Sequence, residues 1–203
     1  MKIYSVVSGP LRVNSYFLVN EKTNKAVVID AGASNNLLAE VERQTGIKVT
    51  ANLLTHAHYD HSRNSKKLQE LGVKIYISDI DSEKLKDGRH LGGENFPIFT
   101  PDYTFKDGDV LEIEGIKIKV ILTPGHTDGS ATFLVDNSLF TGDTLLRESV
   151  GRTDFPSGDY LSLIKSVKGL YALNGDYQVF PGHGEASSLN YERKNNPFIK
   201  QDD

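Results

Sequence analysis

The stretch LLTHAHYDHS, Leu53 to Ser62, sets three histidines and an aspartate within six residues. Packing gives no reason for such clustering, so His56, His58, Asp60 and His61 read as metal ligands. His56 and His58 stand two apart where a predicted strand ends, so their side chains share a side. Asp60 and His61 follow where the chain turns toward a helix, and they face another direction. The motif therefore divides into two half-sites.

Working outward, four predicted strands end in this manner. Thr55 runs into HAHYDH, Thr123 into PGHTDGS, Thr141 into GDT, and Phe180 into PGHGE. Five of the six histidines occupy such ends. The sixth, His90, reads as an ordinary hydrogen-bonded surface residue. If the strand ends share one edge, His126 completes a three-histidine site with His56 and His58. Asp60, His61 and His183 then form a second, and Asp143 is the candidate bridge. Asp30, closing the run KAVVID, reads as a turn residue or as a partner behind a ligand.

Imidazole and carboxylate suit two divalent ions, zinc first, with iron and manganese served by the same donors. Three protein ligands and a shared carboxylate leave each ion an open position, which is the catalytic pattern. Two ions a few ångströms apart act as a clamp and as a source of hydroxide near neutral pH.

The remaining sequence supplies the frame. KIYSVVSG, NSYFLVN and KAVVID read as strands, and KAVVID is too apolar to keep one face in water. A helix is predicted over Asn35–Thr45 on Leu37, Leu38 and Val41. IKVTANLLT is a strand, SRNSKKLQELG a helix, and VKIYIS a strand. Asp79 to Asp107 reads as irregular, with glycines and prolines throughout. DVLEIEGIKIKVILTPG and ATFLVDNSLFTGD read as hairpins turning at Glu114-Gly115 and Asp136-Asn137. A helix is predicted over Asp159–Ala172, its apolar face on Leu161, Ile164, Val167 and Leu170. A last strand, YQVFPGHGE, precedes a short polar helix. Strands in hairpins interrupted by helices suggest sheets covered by helices on their outer faces, within one domain over residues 1–203.

The chain has 203 residues, no cysteine and a formal charge of −4. That excludes disulfides and thiolate ligands, and it disfavours a nucleic-acid partner that relies on phosphate neutralisation. No run reaches the roughly 18 apolar residues of a membrane span. A small-molecule substrate and a cytoplasmic location are the expectations.

THAHYDH (55–61), GHTDGS (125–130), GDT (142–144) and PGHGE (181–185) together resemble the ordered motifs of the metallo-β-lactamase-fold superfamily. GDTLLRESVGRTDFPSGD (142–159) is similar to the glyoxalase II-like (hydroxyacylglutathione hydrolase-like) branch, and PGHGEASSLNYERKNNPF to its short single-domain members. The resemblance implies an α/β (α+β) chain folded as a four-layer αββα sandwich with metals at one edge. It implies the same ligand sets as above. It also implies a dinuclear hydrolase of a thioester such as S-lactoylglutathione, with a bridging hydroxide oriented by Asp60. Class B1 β-lactamases carry a cysteine ligand near the Asp143 position, and this chain has none. About twenty residues follow PGHGE, so the C-terminal helical domain of full-length glyoxalase II is expected to be missing. Arg152 stands where the family has a lysine that binds glutathione, so it is a candidate for a substrate carboxylate or for a salt bridge to Asp154. The loop around Leu91–Thr100 and the Arg152 segment are the expected substrate walls. Persulfide dioxygenases share the fold and a GRTDF-like segment, and in this chain their single iron would use His56, His126 and Asp143. A lactonase is a further hydrolase reading, and a non-catalytic metal-binding protein a third class.

Overall fold

The computed structural model describes residues 1–32, 37–89, 96 and 98–200. Asn35 and Asn36 of the expected first helix, His90, and much of the Leu91–Thr100 loop lie outside the described residues.

The chain opens with β1 (Lys2–Ser8), β2 (Val13–Asn20) and β3 (Lys25–Ile29), then α1 (Leu37–Thr45) and β4 (Lys48–Leu53). Next come α2 (Tyr59–Ser62), α3 (Ser65–Glu70), β5 (Lys74–Ser78), α4 (Asp79–Asp87) and β6 (Tyr103–Phe105). β7 (Val110–Ile113), β8 (Ile116–Leu122), β9 (Ala131–Val135) and β10 (Ser138–Gly142) follow. The remainder is β11 (Leu145–Leu146), β12 (Ser149–Val150), α5 (Tyr160–Tyr171), β13 (Gln178–Pro181), β14 (Ser187–Ser188) and α6 (Leu189–Asn195). One sheet has the order β1-β2-β3-β4-β5-β6, the other β14-β13-β10-β9-β8-β7, and β11-β12 form a small ribbon.

Alternation along the strands makes the four layers. In β3, Val27 and Ile29 pack with Ile118, Val120, Phe133 and Phe140 of the second sheet. Ala26 and Val28 pack instead with Leu38, Leu68 and Leu85 of the outer helices. The strand is apolar on both faces because it is covered on both, as its sequence predicts. In the second sheet, Leu139 and Val179 turn outward to Val167, Leu170 and Tyr171 of α5 and to Leu189 of α6. The order is helices, sheet, sheet, helices.

Three sequence expectations need correction. Within Asp79–Asp107, Tyr103–Phe105 is strand β6 and Asp79–Asp87 is helix α4, not irregular chain: Ser78 caps the helix by accepting from the Asp81 backbone N–H, and Gly88 closes it at φ 82°. Its apolar periodicity is faint because Asp81, Ser82 and Lys84 carry the buried face beside Leu85. In α5 the buried stripe is Leu163, Val167, Leu170 and Tyr171, while Leu161 is 75% exposed. At about 100° per residue, nine positions place Leu161 on the side opposite Leu170. The helix expected after the histidine cluster is two pieces, α2 and α3, and α2 begins inside the motif.

Pairing sets the site edge. β8 and β10 are both antiparallel to β9, and β13 is parallel to β10, so β8, β10 and β13 end at the same edge. β4 reaches it from the other sheet: the Ala131 N–H donates to the Thr55 carbonyl at 2.8 Å. Val13 and His183 form a further bridge, and Asn14 Nδ2 donates to the Pro181 and Gly184 carbonyls at 2.9 Å. Among the described residues, no helix is long and apolar enough to cross a membrane.

Candidate metal centre

At this edge the donor atoms of His56, His58 and His126 lie within 4.8 Å of one another, as do those of Asp60, His61 and His183. His56, His61 and Asp143 form a third such group, which joins the first two. The half-sites are contiguous, with the His56 and His61 rings 4.1 Å apart. Asp143 reaches both: Oδ2 lies 3.5 Å from Nε2 of His126 and of His183, and Oδ1 3.5 Å from Nε2 of His61. Each sequence-predicted ligand is therefore in the cluster. The turn expected between His58 and Asp60 is the start of α2, with His58 still extended at ψ 146°.

Four imidazoles are held from behind. His61 Nδ1 faces Asp30 Oδ2 at 2.9 Å, and that oxygen also accepts the Thr55 hydroxyl at 2.7 Å. With its proton so used, Thr55 Oγ1 accepts from His56 Nδ1 at 3.0 Å. His126 Nδ1 donates to the Arg152 carbonyl at 2.7 Å, and His183 Nδ1 to that of Leu11 at 3.0 Å. In the neutral form of each ring Nε2 is then the nitrogen without a proton, aimed inward, as a metal ligand requires. His58 presents Nδ1, 2.9 Å from His126 Nε2.

Two buried atoms in the cluster, His56 Nε2 and Asp143 Oδ1, have no hydrogen-bond partner among the described residues. Buried polar atoms are normally satisfied, so orphaned acceptors facing other bare acceptors point to a cation. Five imidazoles and two carboxylates are a donor set that zinc, iron and manganese fit. Gly182 is part of the cradle, since a Cβ there would run into Asp143 Oδ1 and the His61 ring.

The titration of these groups follows their surroundings. Burial, with the charges of His126 and His61, pushes His58 down to about 3. Burial and the neighbouring histidines also hold His56 well below its usual value. Burial opposes charge on His61 too, but the Asp30, Asp60 and Asp143 carboxylates outweigh it and raise the group to about 10. For Asp60, burial is outweighed by His61 and His183, which keep its carboxyl below the usual range.

A cleft of about 550 Å³ opens over the cluster, walled by Leu11, Tyr59, Leu146, Val150 and Phe155. Arg152 lines it, but its guanidinium is paired with Asp154 at 2.7 and 2.6 Å and lies 3.8 Å over the Phe155 ring. Phe155 meets the His58 ring edge-on at 5.7 Å. Of the Leu91–Thr100 loop, Phe96 is described, 6.5 Å from Tyr59 ring to ring. Leu11 and Phe155 escaped the sequence reading: the first acts through its backbone, and nothing local marks the second.

Residues 8–183 match the family described as the Metallo-beta-lactamase superfamily. The chain is 32% identical to a protein named hydroxyacylglutathione hydrolase GloC of Haemophilus influenzae, over 98% of each chain. Among solved structures, BLEG-1 B3 metallo-beta-lactamase superposes with a TM-score of 0.90 at 27% identity, covering 98% of this chain and 99% of that one. TTHA1623, in a di-iron-bound form, superposes at 0.84 with 31% identity, covering 97% and 100%.

Proposed function

The chain belongs to the metallo-beta-lactamase superfamily, and from that premise we propose that it is a metal-dependent hydrolase of a thioester, S-lactoylglutathione or a related thiol conjugate. The observation that carries this reading is the convergence of seven donor side chains in one cluster, five of which line an apolar-walled cleft. His56, His58 and His126 would hold one ion and Asp60, His61 and His183 a second, with Asp143 facing both half-sites. Zinc is the first choice, and the di-iron relative supports iron as an alternative. Bound there, the ions supply a water ionised near neutral pH and a Lewis acid for the carbonyl.

The protein contributes position and exclusion. Asp60 is held ionised and lies 3.3 Å from His183 Nε2, so its carboxylate is placed to orient the attacking water. The walls of Leu11, Leu146, Val150 and Phe155 keep bulk water from the acyl group. A thiolate is a good leaving group, so no protein acid is required. Arg152, at the cleft wall, is the cation proposed for an acidic end of the thiol conjugate.

Metal-quantified purification followed by assays on S-lactoylglutathione, glutathione persulfide, a lactone and a β-lactam tests this reading. The absent cysteine separates this chain from class B1 alone, so with a B3 relative a β-lactam belongs in the panel. Two ions per chain with thioesterase activity is the expected result, with metal content lowered and turnover abolished in His58→Ala. One iron with oxygen uptake on the persulfide would replace the hydrolase with a dioxygenase, and full turnover without metal would sink both.

A further inference from the structure

The three-histidine half-site needs two loops to meet: His56-Ala57-His58 after β4, and His126 after β8. The chain does not join them directly, since His58 and His126 are 68 residues apart. Helix α4 does. Asp81 Oδ2 accepts from the Ala57 N–H at 2.8 Å and from the Thr127 hydroxyl at 3.0 Å. One oxygen thus ties the residue between two histidines to the residue after the third. Lys84 Nζ lies 2.5 Å from Asp81 Oδ1 and pairs as well with Asp128. Ser78 Oγ, the cap of α4, donates to the Gly129 carbonyl at 2.6 Å. The first turns of α4 therefore grip both loops.

Asp81 is wholly buried and Lys84 only 6% exposed. A buried ion pair is a poor source of net stability, because desolvation consumes most of the attraction. What this pair provides is geometry. Asp81 has no hydrogen bond to Asp60, His61, Asp143 or His183; His61 is oriented instead by Asp30, and His183 by the Leu11 carbonyl.

We propose that Asp81 is a positioning residue for the three-histidine half-site, and that it acts on that half-site alone. This rests on the metal-centre reading above. If Asp81 served only to hold α4 in the fold, its loss would lower stability without distinguishing the two ions.

The test is a stepwise zinc titration of the metal-free full chain against a chromophoric chelator, with the melting temperature of the metal-free protein followed alongside. Asp81→Ala and Thr127→Val are compared with wild type. His58→Ala and His183→Ala serve as fingerprints of each half-site. Loss of a partner behind a ligand weakens metal binding by about 10–100-fold. In Asp81→Ala one dissociation constant should rise by that factor, in the pattern of His58→Ala, with the other within about twofold. Thr127→Val, which keeps the side-chain shape and removes one of the two bonds, should show the same selectivity with a smaller rise. If Asp81→Ala does not fold, Thr127→Val decides alone. Equal weakening of both sites, or of neither, in a protein whose wild type binds two ions overturns the positioning role only. A wild type that binds fewer than two ions overturns the metal-centre reading and this inference together.

Discussion

The Asp30 carboxylate stands 2.9 Å from His61 Nδ1, and the same oxygen accepts the Thr55 hydroxyl that receives His56 Nδ1. One acid behind the site thus sets the tautomer of a histidine in each half-site. Asp30→Ala should therefore weaken both ions, by about 10–100-fold each, where Asp81→Ala weakens one. Zinc competition titration separates the two patterns. Unchanged affinity in Asp30→Ala would remove this acid from the metal centre.

The metal-free protein should be most stable near pH 6.5. His61 is raised to about 10 in the fold, so its contribution is complete below its ordinary 6.5 and is lost as pH climbs through about 10. His58 is depressed to about 3, so its contribution is present above 6.5 and is lost as pH falls toward 3. Urea midpoints across pH 4–10 check the bell. Metal loading must also displace the His61 proton, so calorimetry in buffers of different ionisation enthalpy should register proton release at neutral pH.

Asp154 competes with any substrate carboxylate for Arg152, being bonded to it through two nitrogens. Asp154→Asn should lower KM for S-lactoylglutathione and Arg152→Ala should raise it, with kcat little changed. The pair is exposed, so changes of less than about tenfold are expected. Equal loss of kcat in both variants would assign the segment to holding His126 through the Arg152 carbonyl instead.

Phe133 tests the inter-sheet layer. It is fully buried and meets Phe105 edge-on at 5.5 Å between ring centroids. Phe133→Ala should cost about 3–5 kcal/mol in urea unfolding of the metal-free protein. A loss below about 1 kcal/mol would mean that the two sheets repack freely around the gap.

Much of this was legible from residue order. The strand ends showed because each apolar run stops at His or Asp beside Gly, and the structure brings the seven candidate donors together. The doubly covered β3 showed in its unbroken apolar run. What escaped was polar burial. Helix α4 hid because Asp81, Ser82 and Lys84 occupy its inner face, and a hydrophobic pattern cannot mark a helix that packs through charge. Asp30 showed as a turn residue or a partner behind a ligand, but which histidines it backs did not show, because that pairing spans a 31-residue separation. The Leu11 and Arg152 carbonyls leave no trace in side-chain identity.

The proposed ligands do not come from one layer. β4 belongs to the first sheet, while β8, β10 and β13 belong to the second. His61 and His183, facing each other across this divide, are 122 residues apart in the chain. Ions held between them would be rivets through two plates. For the plates to slide or peel, the coordination must break before the apolar layer between them is exposed. Occupancy of the site would then govern how long the molecule survives under load, proteolysis or heat, as well as whether it can react.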